Sequence, residues 1–496
     1  MSQRHVIVVG GGSAALCAGI AALDAGARVS LFEKAPADEA GGNSRYTAGA
    51  MRFAYAGREE ILPLLANPDD ERIDVTDFGA YPQEKFAADM LQFNAGEPLN
   101  DLQHRLIGES YATVEWLTRH GILFDPIYSR QTFRKDGRYV FWGGLTLEAK
   151  GEGVGLVDAE LAEFERLGGS IHYASECTEL LMDDERVSGV VVRSASGERV
   201  EHCDAVVLAC GGFEASSDMR AEVMGQAWAA AKVRGTPHNT GAGIRMAQAV
   251  GARLRGRADG CHATPMDRDM PDFGNPDIPF IERKNYRKIC YFLGVMLNAH
   301  GERFVDEGQN FRNYTYAQFG RAILQQPGNV AWQFFDRKVA DLLYAEYRFR
   351  HATFFEADTL EELVAKLDGI DKDNALRTLR EFSAAVDETR DFDPTSLDGR
   401  ATVGLELNKT NWANALDTPP YLAYPVTCGI TFTYAGVDIG PQADVLDGEG
   451  KPIPGLYACG EMVGGVFSDG YPGGSGLTSG AVFGRLAGQS AAQWVR

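Results

Sequence analysis

The sequence predicts an α/β fold: a Rossmann-like domain on a parallel sheet with a β-meander, interrupted by an inserted α+β capping domain. Three observations predict it. Val6-Ile7-Val8-Val9 runs as an unbroken apolar strand into Gly10-Gly11-Gly12, as a strand buried on both faces does before a tight turn. Short strands around a turn at Asp183-Asp184-Glu185-Arg186 form the meander. Glycine-rich segments resume near the far end, after a long stretch rich in aromatic residues, arginine and loops.

The first unit is the most informative. Gly10, Gly12 and Ala15 fill the small-residue positions of G-x-G-x-x-G/A. Glycine serves there because the turn is tight and the backbone must approach a pyrophosphate, while the following helix offers free N–H groups to phosphate oxygens. Glu33, twenty-one residues after Gly12, closes the strand Val29-Ser30-Leu31-Phe32 and is placed to accept from ribose hydroxyls. This unit is expected to bind an adenine dinucleotide.

The polar loop Gly41-Gly42-Asn43-Ser44-Arg45-Tyr46-Thr47-Ala48-Gly49 follows, where a nicotinamide enzyme would begin its next helix. Helical spacing then covers residues 84–120 and 155–167. Strands follow at 171–173, 178–182 and 187–192, and residues 205–209 lead to Cys210-Gly211-Gly212-Phe213. From 257 to 427 the character changes, with a helical pair at 359–367 and 373–389. Near the end, a strand closes in Cys459-Gly460-Glu461, and Gly470-Tyr471-Pro472-Gly473-Gly474-Ser475-Gly476-Leu477 opens the last helix, whose N–H groups would face a flavin edge and stabilise its reduced anion. The expected domains are 1–257 and 429–496 for the cofactor and 258–428 for the cap. The cap is expected to move against the cofactor domain.

The cofactor expected from these loops is FAD. The residues assigned to it are Gly10, Gly12, Ser13, Ala14, Ala15, Glu33 and Lys34; Gly41, Gly42, Asn43, Ser44, Thr47, Ala48 and Gly49; Thr178, Ala209, Cys210 and Gly211; and Gly460, Glu461, Ser475, Gly476 and Leu477.

Bulk properties set the remaining bounds. A chain of 496 residues exceeds one ordinary core, and its net charge of −21 argues against nucleic acid or an anionic membrane as partner. A few local arginines still suffice for an anionic substrate. The 8 cysteines show no C-x-x-C, so no metal or cluster is expected and a reducing cytoplasm fits. The glycines inside residues 6–23 argue against a signal peptide, and no run approaches a membrane span.

These motifs in this order resemble the fumarate reductase/succinate dehydrogenase flavoprotein family over essentially the whole chain. The resemblance is carried by residues 8–15, 41–49 and 208–213, by Gly301-Glu302-Arg303-Phe304-Val305-Asp306-Glu307, and by 455–461 with Gly484-Arg485-Leu486-Ala487-Gly488. Thr427-Cys428-Gly429-Ile430-Thr431-Phe432-Thr433-Tyr434 and Phe311-Arg312-Asn313-Tyr314-Thr315-Tyr316 look most like its tricarballylate dehydrogenase branch. The resemblance implies substrate at the interface of FAD domain and cap. No histidine lies in the 41–49 loop, so covalent FAD is not expected there. His262 stands in the place of a histidine that binds a substrate carboxylate. Arg312 resembles a proton-carrying arginine, one residue further from Glu307 than usual, with Tyr314 and Tyr316 as alternatives. Tyr471 stands where an arginine usually clamps the second carboxylate; its Tyr-Pro-Gly context is similar to 3-ketosteroid dehydrogenases.

The implied activity is FAD-dependent oxidoreduction of a CH–CH bond α,β to a carboxylate or carbonyl, on a tricarballylate-like polycarboxylate. It needs a hydride acceptor, a group that moves the α-proton and donors for the developing enolate. The alternatives are a 3-ketosteroid-type Δ1-dehydrogenase, a fumarate-reductase-like enoate reductase, and an electron-transfer subunit serving an acceptor protein. His262 and Tyr471 are expected on opposite sides of the flavin, with Arg312 approaching from the cap.

Overall fold

The long apolar run at the start becomes the centre of a six-stranded sheet. A computed structural model describes residues 3–129, 131–141 and 144–494, with Phe133 described by its backbone alone. The strand order is Asp444–Leu446, Pro452–Ala458, Ala205–Leu208, His5–Val9, Arg28–Phe32, Ser170–His172. All neighbours are parallel except the antiparallel edge strand Asp444–Leu446. Val6, Ile7 and Val8 are fully buried, as parallel strands covered on both faces require.

The expected meander is present as Glu176–Asp183, Arg186–Ser194 and Gly197–His202, an antiparallel three-stranded sheet. The helices expected between 84 and 120 are Gln83–Leu91 and Asp101–Arg119, the second opened by a capping box of Asn100 and Gln103. The next helix, Glu152–Arg166, starts before the expected residue 155. In the cap, the helix expected to reach residue 389 ends at Ala384. There the chain leaves helical geometry because Val386 forms a bridge with Thr402 and Asp387 N–H donates to the Ala401 carbonyl.

A second mixed sheet is organised by one long strand, Tyr421–Thr433. Val330–Phe335, Phe355–Ala357 and Cys261–Asp267 pair antiparallel with it, and Lys232–Val233 pairs parallel. This strand runs through residue 428 without a break, and Lys232–Val233 reaches the sheet from well before residue 258. Leu297, Trp332, Leu363, Leu379 and Ala423 close a separate core over it.

The last helix, Ser475–Gln493, lies against the first, Ser13–Asp24, at backbone contact. A Cβ built on Gly484 would stand 2.6 Å from the Ala14 carbonyl oxygen, and one on Gly488 would overlap the Ala18 carbonyl. No side chain fits at either position, and that closeness brings the starts of both helices to one cavity. Gly488→Val is therefore expected to lower the melting temperature, with a cost of ~1–3 kcal/mol for forcing methyl groups against fixed backbone. Thermal denaturation checks it, and an unchanged transition would mean that the helices do not approach so closely.

Candidate active site

Two cavities meet along the seam between these helices. One, of about 890 Å³, is lined by the first glycine turn, Glu33, the 209–211 segment and residues 236–243. The other, of about 1440 Å³, lies between the last helix and residues of the second sheet such as His262 and Thr431. Ala14, Asn43, Ser44 and Glu461 line both.

Each glycine of the first turn has its own reason. Gly10 has φ of 113°, and a Cβ there would sit 2.8 Å from the Ala209 carbonyl carbon, so both conformation and space demand glycine. Gly12 has ordinary extended backbone, φ −80° and ψ 174°. Its Cβ would meet nothing of the protein closer than Ser44 Oγ at 3.5 Å. The space beside Gly12 is therefore open in the protein itself, as it must be where a pyrophosphate approaches a helix N-terminus.

Glu33 is buried at the end of its strand; Ala35 N–H donates to it at 2.6 Å, and burial raises its pKa. Lys34 Nζ donates to Thr240 Oγ1 at 3.1 Å and pairs with Glu176 at 3.4 Å. Ser44 Oγ accepts from Ser13 N–H at 3.1 Å, and the Ser13 hydroxyl donates to Glu160 at 2.7 Å. Glu160 is fully buried, and burial pushes its pKa up to about 8 although Ser13 and Cys17 oppose the rise.

Several assigned residues serve the scaffold. Ala15 is buried inside the sheet–helix packing. Gly49 lets its loop touch helix Glu152–Arg166, since a Cβ there would lie 2.6 Å from the Glu152 backbone. Thr47 Oγ1 donates to the Ser44 carbonyl at 2.8 Å and, with Ala48, lines the larger cavity. Thr178 is absent from the cavity wall and its hydroxyl turns to the Val191 carbonyl; Ser175, Glu176 and Cys177 line the wall instead. Gly42, Ala209, Cys210 and Gly211 line the smaller cavity, and Gly460, Gly476 and Leu477 the larger. Gly41, at φ 109°, shapes its loop, and among the described residues the buried Ser475 hydroxyl has no partner.

Asn43 is a cross-brace. Its Nδ2 donates at 2.6 Å to both Glu214 and the Thr431 carbonyl, and its Oδ1 accepts from Thr236 N–H at 2.9 Å. Glu461 accepts from Thr433 N–H at 2.7 Å. Burial and the adjoining Glu214 push the Glu461 pKa well above the usual carboxylate range.

At the cap side the cavity gathers aromatic hydroxyls and cations. Tyr316 and Tyr471 hydroxyls are 2.7 Å apart, and Tyr471 OH lies 3.3 Å from His262 Nδ1. Burial, then the charges of Arg234 and Arg287, lower the pKa of His262 well below its ordinary value, and among the described residues its Nε2 has no partner. The imidazole is therefore neutral. The expectation that His262 and Tyr471 face each other across a flavin is not met: they are hydrogen-bonded neighbours on one wall. The strand carrying His262 pairs His262 with Phe432 and Ala263 with Ile430, a bulge that leaves Thr431 as the extra residue. The bulge turns this strand end into the cavity.

Arg312 opens helix Arg312–Leu324 and is almost fully buried. Its Nε donates to Tyr344 OH at 3.1 Å, and its guanidinium stacks near Tyr316 and Tyr344. Among the described residues no carboxylate pairs with it. A cation at a helix N-terminus also opposes the macrodipole. Tyr314, two residues on, faces elsewhere: its hydroxyl donates to Asp89 at 3.1 Å. Asp89 also holds Tyr81 and Arg52, and Arg52 Nε donates to the Gly473 carbonyl at 2.8 Å. Tyr314 thus buttresses the loop of Tyr471 from behind.

The sequence reading did not single out Arg234, Arg287, Glu346, Tyr344 or Glu214. Arg287 pairs with Glu346 at 2.5 Å beside the cavity. Arg234 follows a two-residue strand and precedes a glycine, too short a pattern to carry periodicity.

Comparison with known proteins gives the family. The FAD binding domain family matches residues 5–477, and the chain belongs to that family. It is 30% identical over 499 residues to "Probable fumarate reductase Ifc3" of Shewanella frigidimarina (strain NCIMB 400), covering 99% of this chain and 75% of that one. It is 28% identical to "4-oxocyclohexanecarboxylate 2-dehydrogenase" of Sinomonas cyclohexanicum, covering 99% and 94%. The solved open conformation of a flavocytochrome c3 fumarate reductase superposes with a TM-score of 0.73 at 28% identity, covering 99% of this chain and 78% of that one. The chain is thus an FAD-dependent CH–CH oxidoreductase of the fumarate reductase-like type. No helix among the described residues is long and apolar enough to cross a membrane.

Two expectations follow from the cofactor side. Gly12→Val should leave the apoprotein folded, because its side chain points into open space, yet abolish FAD retention; the flavin-to-protein absorbance ratio and the apoprotein melt read both. Glu160 is protonated when folded, and its pKa of about 8 lies above the ordinary 4.5. The folded state therefore holds the extra proton, and stability falls as pH rises through this window. Glu160→Gln removes the titration, so its stability relative to wild type should grow with pH from about 4.5 to about 8. Denaturant titration at several pH values checks this, and a constant difference would contradict it.

Proposed function

We propose that this member of the FAD-binding family interconverts a CH–CH bond and its C=C counterpart α,β to a carboxylate, on a tricarballylate-like polycarboxylate. The observation that supports this reading best is Arg312, a buried cation lining the cavity without a carboxylate partner among the described residues. A buried unpaired charge is costly, and a substrate carboxylate removes that cost.

FAD, when bound, supplies the two-electron acceptor or donor for the hydride. The protein's residues do the rest. Tyr471 donates to the carboxyl or carbonyl oxygen on which enolate charge develops, with Tyr316 behind it at hydrogen-bond distance. His262, kept neutral by burial and the nearby arginines, contributes a ring nitrogen without adding charge. Arg312 and Tyr344 line both this cavity and an outer one of about 1400 Å³. Their Nε–hydroxyl bond therefore joins the reacting carbon to an outer space, and the α-proton moves along it. Arginine gives up its proton reluctantly, so Tyr316 is the competing proton-transfer group.

A second reading, a cyclic ketone as substrate, is favoured by the aromatic wall. Phe432, Phe467 and Tyr471 pack mutually with ring centroids 5.3–6.0 Å apart. The Sinomonas relative is named for a substrate that carries both a ring ketone and a carboxylate.

Under the main reading, Tyr471→Phe should lower kcat by ~10²–10³, the effect of losing one donor at a developing oxyanion, while FAD content stays unchanged. Arg312→Lys should be nearly as damaging as Arg312→Ala, since an ammonium cannot reproduce the planar fork. Steady-state kinetics with FAD stoichiometry measures both. Full turnover in Tyr471→Phe would remove this residue from the mechanism.

A further inference from the structure

The geometry points to Arg234, braced on Thr431, as the anchor for a second carboxylate of the substrate, which makes the site selective for di- and tricarboxylates over monocarboxylates and neutral ketones. This rests on the reading of the cavity as a carboxylate site.

Arg234 is 7% exposed and lines the same cavity as His262, Tyr471 and Arg312. Its backbone is pinned, since Arg234 N–H donates to the Ile430 carbonyl at 2.8 Å. Its side chain is aimed by one bond, Nε to Thr431 Oγ1 at 3.0 Å. Thr431 is the extra residue of the bulge, and its carbonyl is held by Asn43. The guanidinium is therefore fixed at both ends while no carboxylate among the described residues neutralises it. Burial and the charge of Arg287 lower its pKa to about 10, which leaves it charged at neutral pH.

The cavity thus carries two cations, Arg234 and Arg312, beyond the Arg287–Glu346 pair. Burial and the adjoining Glu214 disfavour the charged form of Glu461, which also lines it. One carboxylate on the substrate would leave one of these cations uncompensated. Tyr471 replaces the arginine that the related loop usually carries, and Arg234, arriving from a different strand, returns a positive charge to the site. Its planar fork suits a carboxylate bidentately.

The test uses the FAD-loaded protein and equilibrium binding by calorimetry. Citrate is the probe: its central carbon bears no hydrogen, so it presents three carboxylates without undergoing desaturation there. Butyrate and cyclohexanone are the comparison ligands. Arg234→Met should weaken citrate binding by ~30-fold or more, the effect of removing one side of a buried charge pair, with butyrate affinity and FAD content unchanged. Arg234→Lys should recover part of the loss. Thr431→Val, which removes the brace and keeps the charge, should weaken citrate and spare butyrate.

Equal citrate affinity in wild type and Arg234→Met overturns the assignment and leaves the carboxylate reading standing. Cyclohexanone binding by wild type with no binding of citrate or butyrate overturns both. If Arg234→Met does not load FAD, Thr431→Val decides: unchanged citrate affinity there overturns the assignment.

Discussion

The structure depends on two helices whose backbones touch. Gly484 and Gly488 on the last helix face the Ala14 and Ala18 carbonyls of the first, with no room for a side chain between them. That contact joins segments from opposite ends of the chain and sets two helix N-termini, at Gly12 and Gly474, on two adjoining cavities. The first suits a pyrophosphate, the second the electron-rich edge of a flavin. Had the helices packed through ordinary side chains, at ~8–10 Å between axes, the cavities would be wider and less well matched. The cross-brace of Asn43 extends the same constraint outward, tying the cofactor loop to Thr431 and hence to the long strand of the cap.

On that frame the cavity is built against the usual preference of protein interiors. Arg312 stands at the positive end of its own helix, and Arg234 is buried against a hydroxyl rather than a carboxylate. Burial first, then the charges of Arg234 and Arg287, keep His262 neutral, so the imidazole is a hydrogen-bonding group and not a third cation. Burial, and then the adjoining Tyr316, raise the Tyr471 phenol well above its ordinary pKa although Arg234 opposes the rise. Tyr471 is then a donor that keeps its proton, suited to holding an oxygen as charge develops. Local rules are broken here in a concentrated way, which is the pattern expected where structure serves a ligand.

The cofactor half was legible because its physics is local. An apolar run, a glycine turn and an acid at the end of the next strand each act within a few residues, and together they specified a parallel sheet and its first helix. The two further glycine loops added FAD, and the family resemblance agreed with it. The substrate half was less legible, because its geometry comes from register. His262 and Tyr471 are neighbours only because strand Cys261–Asp267 lies antiparallel to Tyr421–Thr433 with a bulge at Thr431, and no spacing along the chain records that pairing. Arg234 is brought in by a strand of two residues. Tyr314 and Tyr316 show the limit most plainly. Both follow Arg312 on one helix, yet Tyr316 reaches Tyr471 while Tyr314 reaches Asp89 on the far side of the loop. Thr178 missed the cavity wall by one position, because a bulge between Cys177 and Glu179 leaves it out of register with its hydroxyl turned to the Val191 carbonyl.

The most direct measurement is anaerobic mixing of the oxidised, FAD-loaded protein with candidate substrates while flavin absorbance is followed, and of the reduced protein with their unsaturated counterparts. The account predicts that a saturated tricarboxylate such as tricarballylate bleaches the flavin, or that its unsaturated partner restores the colour of the reduced form, while cyclohexanone and its enone leave both unchanged. Bleaching by the ring ketone with no response to any polycarboxylate would contradict it.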